Sequence, residues 1–221
     1  AALLLAGVTG CADGSRRPPP MLGQWIWSAR DSALLHAVRA QRPALRSGVW
    51  VATLSTRGDT LVAALGRPLD ASVGADAEVV IRVDDSFSTW WGRMPPDTIA
   101  ARLDARIARV LDVVERGGAR RTVQLDYDAP VARLAEYAAL LRRLRGEGGA
   151  LHGRSLWITA LVAHLGDPAY GARFRLLADG HIIQLFDTGD RHSAAREREV
   201  EARVERAAMP FRLGVGAFER R

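Results

Sequence analysis

The 221-residue chain predicts an α/β protein of the (β/α) barrel type. Three observations carry that expectation. From Leu22 to Phe218, β-branched apolar runs alternate with segments of helical periodicity, which implies parallel strands joined by right-handed crossovers. Seven strands are legible, one fewer than in a full barrel of about 250 residues. The first strand ends Trp25-Ile26-Trp27-Ser28-Ala29-Arg30, without the Gly-rich loop that an open doubly wound sheet shows at this point. The eighth position is therefore expected to be incomplete, with a gap between strands seven and one.

The elements follow in order. Leu22 to Trp27 reads as strand one, followed by a helix over Asp31 to Arg42 capped by Ser28 or Asp31. Gly48 to Leu54 reads as strand two, and Ser55 to Ala77 stays ambiguous. The β-branched run Glu78 to Val83 is strand three. Pro95 and Pro96 open a long helix to Arg116, in which Ile99, Leu103, Ile107, Val110, Leu111 and Val114 recur at helical spacing. Gly117-Gly118 ends it. Thr122 to Asp128 is strand four, and Pro130 begins a helix to about Arg145. Ser155 to Leu161 is strand five, Ala169 to Leu177 a weak helix, and His181 to Phe186 strand six. Ser193 to Arg206 is a charged helix, and Phe211 to Phe218 is strand seven. No internal repeat or linker divides residues 22–221, which are read as one domain.

The N-terminus has a different character. Leu3-Leu4-Leu5-Ala6-Gly7-Val8-Thr9-Gly10-Cys11 is a short apolar run, then small residues, then the only cysteine. It resembles the end of a bacterial lipoprotein leader, with Val8-Thr9-Gly10-Cys11 as the lipobox and Cys11 as the lipidated residue. The run is too short to span a bilayer. Residues 12–21 form a polar, proline-rich tether around Arg16-Arg17-Pro18-Pro19-Pro20. Residues 1–11 are thus read as leader and lipobox. The competing reading is a plain N-terminus with an incidental cysteine. A lone cysteine excludes an internal disulfide.

The net charge of +6 does not point to nucleic acid. All Lys+Arg residues are arginine, and they are scattered beside acids, as from Arg196 to Arg206. That pattern describes solvated helix faces.

Strand four carries the most informative residues, Val123-Gln124-Leu125-Asp126-Tyr127-Asp128-Ala129-Pro130. Side chains alternate along a strand, so Gln124, Asp126 and Asp128 share one face. The carboxyl ends of barrel strands are where sites form. Two carboxylates in a partly dry cleft cannot both ionise freely, and one is pushed toward an acid role. Glycoside hydrolysis uses such a pair, roughly 5–5.5 Å apart for retention and roughly 6.5–9.5 Å for inversion. The alternative is structural, with Asp128 capping the next helix and Asp126 paired with Arg82. Asp84, Asp85, His164, Asp187, Asp190 and Glu219 also follow strands, while Arg82 and Gln184 lie further back. Trp90-Trp91 is expected to stack sugar rings or to anchor a loop on the barrel rim. Trp25, Trp27, Trp50 and Trp157 read as core. His36, His152, His181 and His192 lack paired spacing and read as surface or satisfied residues. No cofactor or metal is implied.

Trp25-Ile26-Trp27, Gly48-Val49-Trp50-Val51, Gln124-Leu125-Asp126-Tyr127-Asp128-Ala129, Ile158-Thr159-Ala160-Leu161 and Pro210-Phe211-Arg212-Leu213-Gly214 together resemble a bacterial family, domain of unknown function 3142. The resemblance covers about Leu22 to Phe218. It implies a barrel-like, envelope-associated protein with no assigned activity. The strand-four motif is also similar, more distantly, to chitinase-type barrels, whose motif is Asp-x-x-Asp-x-Asp-x-Glu. Here Asp126 and Asp128 match, Val123 replaces the first Asp, and Pro130 stands in place of the catalytic Glu. Arg82-Val83-Asp84-Asp85 bears a faint similarity to metal-dependent polysaccharide deacetylases, without their His-x-x-x-His.

The expectation is a lipid-anchored envelope protein that acts on or binds a polysaccharide. If it is an enzyme, Asp126 and Asp128 supply the chemistry, with Arg82, Asp84, Trp90, Trp91, His164 and Gln184 lining the site. A non-catalytic carbohydrate-binding protein is the alternative. Cys11→Ser is expected to release the protein from membranes of its host. Unchanged membrane fractionation, with no lipid mass on the Cys11 peptide, would contradict the anchor.

Overall fold

The computed structural model describes residues 2–7, 21–69, 73–116, 118, 120–185 and 194–217. Seven parallel strands form a curled sheet, and helices alternate with them. In chain order the parallel strands are β2 (Met21–Ile26), β3 (Arg46–Arg57), β5 (Glu78–Val83), β6 (Val123–Tyr127), β7 (Leu156–Leu161), β8 (Gly180–Gln184) and β9 (Phe211–Ala217). Each pairs with the next in parallel. The sheet curls into an open barrel whose edges, β2 and β9, do not pair with each other among the described residues.

The space between those edges holds β1 (Ala2–Gly7), antiparallel to both neighbours. The sequence reads this segment as part of a leader. Cys11 and residues 12–20 of the tether lie outside the described residues, and Met21, read as the tether's last residue, opens β2. No helix among the described residues is long and apolar enough to cross a membrane.

The ambiguous stretch after strand two resolves into a hairpin. β3 runs on to Arg57, turns at Gly58 with φ of 57°, and returns as β4 (Thr60–Leu65) antiparallel to it. The positive φ explains the glycine, which alone adopts it without strain. The first helix is α1 (Ala29–Arg39), closed by a capping box. Ser28 accepts from the Asp31 N–H, and Asp31 accepts from the Ser28 N–H.

Two apolar layers follow from strand alternation. The outer faces of β5, β6 and β7 bury Val79, Ile81, Val83, Val123, Leu125, Tyr127, Leu156 and Ile158. Against them pack α2 (Pro96–Val114), through Ile99, Leu103, Ile107, Val110 and Leu111, and α3 (Leu134–Arg145), through Tyr137, Leu141 and Leu144. Burial on both faces is why β5 reads as the continuous run Val79-Val80-Ile81.

The inner layer is smaller and partly polar. Trp25, Val80 and Ile182 pack together, with Trp27 and Trp157 against them. Glu78, buried at the start of β5, accepts two hydrogen bonds from Arg212 of β9, at 2.7 and 3.0 Å. Gln124 donates to the same carboxylate and accepts from the Trp25 indole at 2.7 Å. The Arg212 guanidinium lies over the Trp157 ring, 3.8 Å from its centroid. Gly180 makes room for that ring, since a Cβ there would fall 2.5 Å from it.

Candidate functional site

The site grows from the upper halves of β5 and β6. Register pairs Arg82 with Asp126, so both side chains point into the barrel above the Glu78 floor. Arg82 Nη1 lies 3.6 Å from Asp126 Oδ2, and its side chain is 41% exposed while that of Asp126 is 4% exposed. Gln184 Nε2 on β8 donates to Asp126 Oδ1 at 3.3 Å. Thr159 on β7 accepts from the Tyr127 N–H at 3.0 Å, which leaves its hydroxyl hydrogen for Asp126. Four strands thus hold one carboxyl. The sequence places Arg82 or Gln184 within hydrogen-bond reach of Asp126; Gln184 makes that bond, and Arg82 stands at ion-pair distance.

Asp128 sits just beyond the strand, on the same side and half-buried. Its Oδ1 is sealed from solvent and accepts no hydrogen bond among the described residues. It does not cap the next helix. Pro130 starts a separate 3-10 turn over Val131–Arg133, and α3 begins only at Leu134, without a side-chain cap. The capping alternative therefore fails, while the Asp126–Arg82 pairing holds.

Burial pushes the Asp126 carboxyl up to about 6, helped by the neighbouring Asp128 charge. Arg82, Thr159 and Gln184 pull the other way and do not cancel the burial. Asp128 is also raised, again mainly by burial, with Arg82 opposing and Asp85 adding to the rise. Together they form a coupled acid pair beside one cation.

Of the two alternatives for Trp90-Trp91, the loop anchor holds and the stacking platform does not. Trp90 and Trp91 are buried and serve as loop anchors, not as an exposed stacking platform. The Trp90 indole donates to the Gly58 carbonyl at 2.9 Å, and Trp91 donates to the Tyr127 hydroxyl at 2.9 Å. Both pack on Phe87 in the 3-10 turn Asp85–Trp90. The half-buried aromatic pair inside the barrel is instead Trp27 and Trp50, with centroids 5.9 Å apart and planes tilted by 31°. The Trp50 indole donates to Thr53 at 3.0 Å, and Thr53 pairs directly with Arg82. A period-two reading of Trp25-Ile26-Trp27 signals one shared face. It does not separate the buried Trp25 from the half-buried Trp27.

The other expected residues have local duties. Asp84 accepts from the Ser86 N–H, which holds its carboxyl below the usual range. His164 is buried. Its Nδ1 accepts from the Leu161 N–H, so Nε2 carries the proton toward the Ala129 carbonyl at 2.7 Å. It fixes the chain just after Asp128 and does not line the mouth. His181 stacks on Tyr170, and burial pulls its pKa down to about 4. Among the described residues no group of three or more His, Cys, Asp or Glu is placed to hold a metal ion. Asp187, Asp190, His192 and Glu219 lie outside the described residues.

The raised Asp126 has a signed consequence for stability. The folded state holds this proton more tightly than the unfolded chain, whose aspartate titrates near 3.8. Its contribution is fully present below that value and is lost as the pH rises through about 6. At about 1.4 kcal/mol per pH unit, the loss is of order 3 kcal/mol. Denaturant unfolding of wild type and Asp126→Asn at pH 4 and 7 is expected to show wild type losing that much relative to the variant. A difference independent of pH would contradict the buried acid.

No family model matches this chain, and neither a curated protein nor a solved structure matches it.

Proposed function

We propose that the protein is a glycosidase-like hydrolase of the bacterial envelope, acting on a polysaccharide at the carboxyl end of its barrel strands. One observation carries the reading. Asp126 and Asp128 are coupled carboxyls, one holding a proton to about 6, beside a half-exposed guanidinium inside the barrel. A general acid needs a pKa near its working pH.

Asp128 is the less buried member and is the group that meets the substrate. It gives a proton to the leaving oxygen or takes one from the attacking water. Asp126 lies behind it, sets its charge and takes part in redistributing the proton. Arg82 stabilises whichever carboxylate is left ionised. Trp27 and Trp50 offer aromatic faces for sugar rings. The envelope location rests on the lipobox resemblance at Cys11 and on the similarity to the family of unknown function.

A second reading is binding without turnover. Pro130 favours it, because the chitinase-type motif places its acid there. The deciding experiment is turnover of a panel of labelled bacterial glycans, with melting curves on each variant. Asp128→Asn is expected to lose roughly 10²–10⁴-fold in turnover. Asp126→Asn is expected to lose less and to shift the acid limb of the pH–rate profile. Both are expected to melt no lower than wild type at neutral pH. Glycan binding with no turnover in wild type would establish the second reading. Unchanged turnover in both variants would remove the pair from the mechanism.

A further inference from the structure

We infer that His181 is an acid-sensitive latch, whose imidazole takes up a proton from solvent and so releases the helical unit packed on the outer face of β8. The unit consists of the 3-10 turn His164–Gly166, α4 (Tyr170–Phe174) and α5 (Ala194–Ala207). His181 is 0% exposed. Its Nδ1 lies 3.2 Å from the Tyr170 hydroxyl, and its Nε2 is sealed with no hydrogen-bond partner among the described residues. A neutral imidazole has one N–H and one lone pair, so this setting leaves a single group unmatched. An imidazolium has two N–H donors. The Tyr170 hydroxyl can accept one of them, and the other would sit, charged, without an acceptor.

The surroundings supply no counter-charge. His181 is flanked in the sheet by Ile158 of β7 and Phe211 of β9. From α5, Val204 and Ala207 turn inward, while Arg206 donates to the Leu165 carbonyl and Arg203 pairs with Glu199. Asp167 holds the Ala169 N–H and Arg173, and Asp179 holds the Leu156 N–H and Arg145. The titratable groups that face His181 are Tyr170 and, across its ring, His164. Burial raises the Tyr170 hydroxyl further above its usual range, so neither offers a negative charge.

Tyr170 is the joint between the unit and the sheet. Its ring centroid lies 5.6 Å from that of His181, 4.8 Å from Phe174 and 6.3 Å from His164. α4 and α5 are locked together, since a Cβ on Gly171 would fall 2.1 Å from the Ala207 carbonyl oxygen. Among the described residues of α5, Val204 and Ala207 are the buried ones, so little apolar area holds it in place. Such elements open before the fold as a whole. Opening exposes His181, which then regains its ordinary value of 6.5 in place of about 4. Closure is therefore fully favoured above 6.5 and weakens as the pH falls toward about 4. Release bares the outer face of the strand that also holds Gln184 against Asp126.

The test is hydrogen exchange of the full chain, read segment by segment at about pH 7.5 and about pH 4.5, on either side of the ordinary histidine value. Rates are corrected for intrinsic exchange at each pH. Segment resolution separates the latch from Asp126, which shifts the stability of the whole fold with the opposite sign. Opening of α4 and α5 is expected to rise of order 50-fold on acidification of wild type. It is expected to stay level in His181→Phe, and α2 is expected to show no such rise in either protein. A matching rise in His181→Phe, or in α2 of wild type, overturns the latch. Should His181→Phe not fold, the His181 ring C–H resonances of wild type decide. Titration that begins only below about pH 5 supports the latch. Titration at the ordinary histidine value with α4 and α5 still protected overturns it.

Discussion

The ion pair between Glu78 and Arg212 is the interaction on which the rest of the barrel depends. The two residues are 134 positions apart in sequence and sit on strands separated by three others in the sheet. The two edges of the parallel sheet are joined only through the short antiparallel β1, and the ion pair adds a direct tie across the inside of the barrel. A bidentate Arg–carboxylate contact does this with direction as well as attraction. Burying two charges is expensive unless their remaining bonding capacity is filled. Here Gln124 fills it on Glu78, and the Trp157 face covers the guanidinium. Trp25 closes the network by donating to Gln124.

The same strands carry the chemistry one level higher. β5 bears Glu78 in the floor and Arg82 above it, and β6 bears Gln124 in the floor and Asp126 above it. Strand periodicity links the two levels rigidly, and a slip of one residue would turn Asp126 outward into the helix layer. The floor is balanced in charge and hydrogen bonding, whereas the mouth is not. Asp126 is buried against four strands, and Asp128 keeps an unpaired buried oxygen. Strain of this electrostatic kind is tolerated where a ligand relieves it, and it concentrates at functional sites.

Much of this was legible in the chain because period-two alternation is a local property. It placed Gln124, Asp126 and Asp128 on one face and anticipated Arg82 and Gln184 beside Asp126. Strand and helix alternation likewise revealed the seven parallel strands and the incomplete eighth position. The misreadings have non-local causes. Trp90 and Trp91 are anchored by partners 32 and 36 residues away, the Gly58 carbonyl and the Tyr127 hydroxyl, which no local pattern reveals. Asp128 looked like a cap because Pro130 begins a helical turn. That turn is a separate 3-10 element, and α3 starts four residues later. Glu78 passed as the first polar residue of an apolar strand, since its partner lies at the other end of the chain.

The most direct test of this account is a double-mutant cycle on Glu78→Gln and Arg212→Met, followed by denaturant unfolding. Glu78→Gln strands the Arg212 guanidinium and is predicted to cost about 3–5 kcal/mol, and Arg212→Met is predicted to cost less, because Arg46 stays 3.8 Å from Glu78. The double variant is predicted to recover part of that loss, giving a large coupling energy between two strands that are not neighbours in the sheet. Single losses below about 0.5 kcal/mol that simply add would be the behaviour of independent surface residues. They would contradict the claim that this pair holds the barrel, and with it the site above.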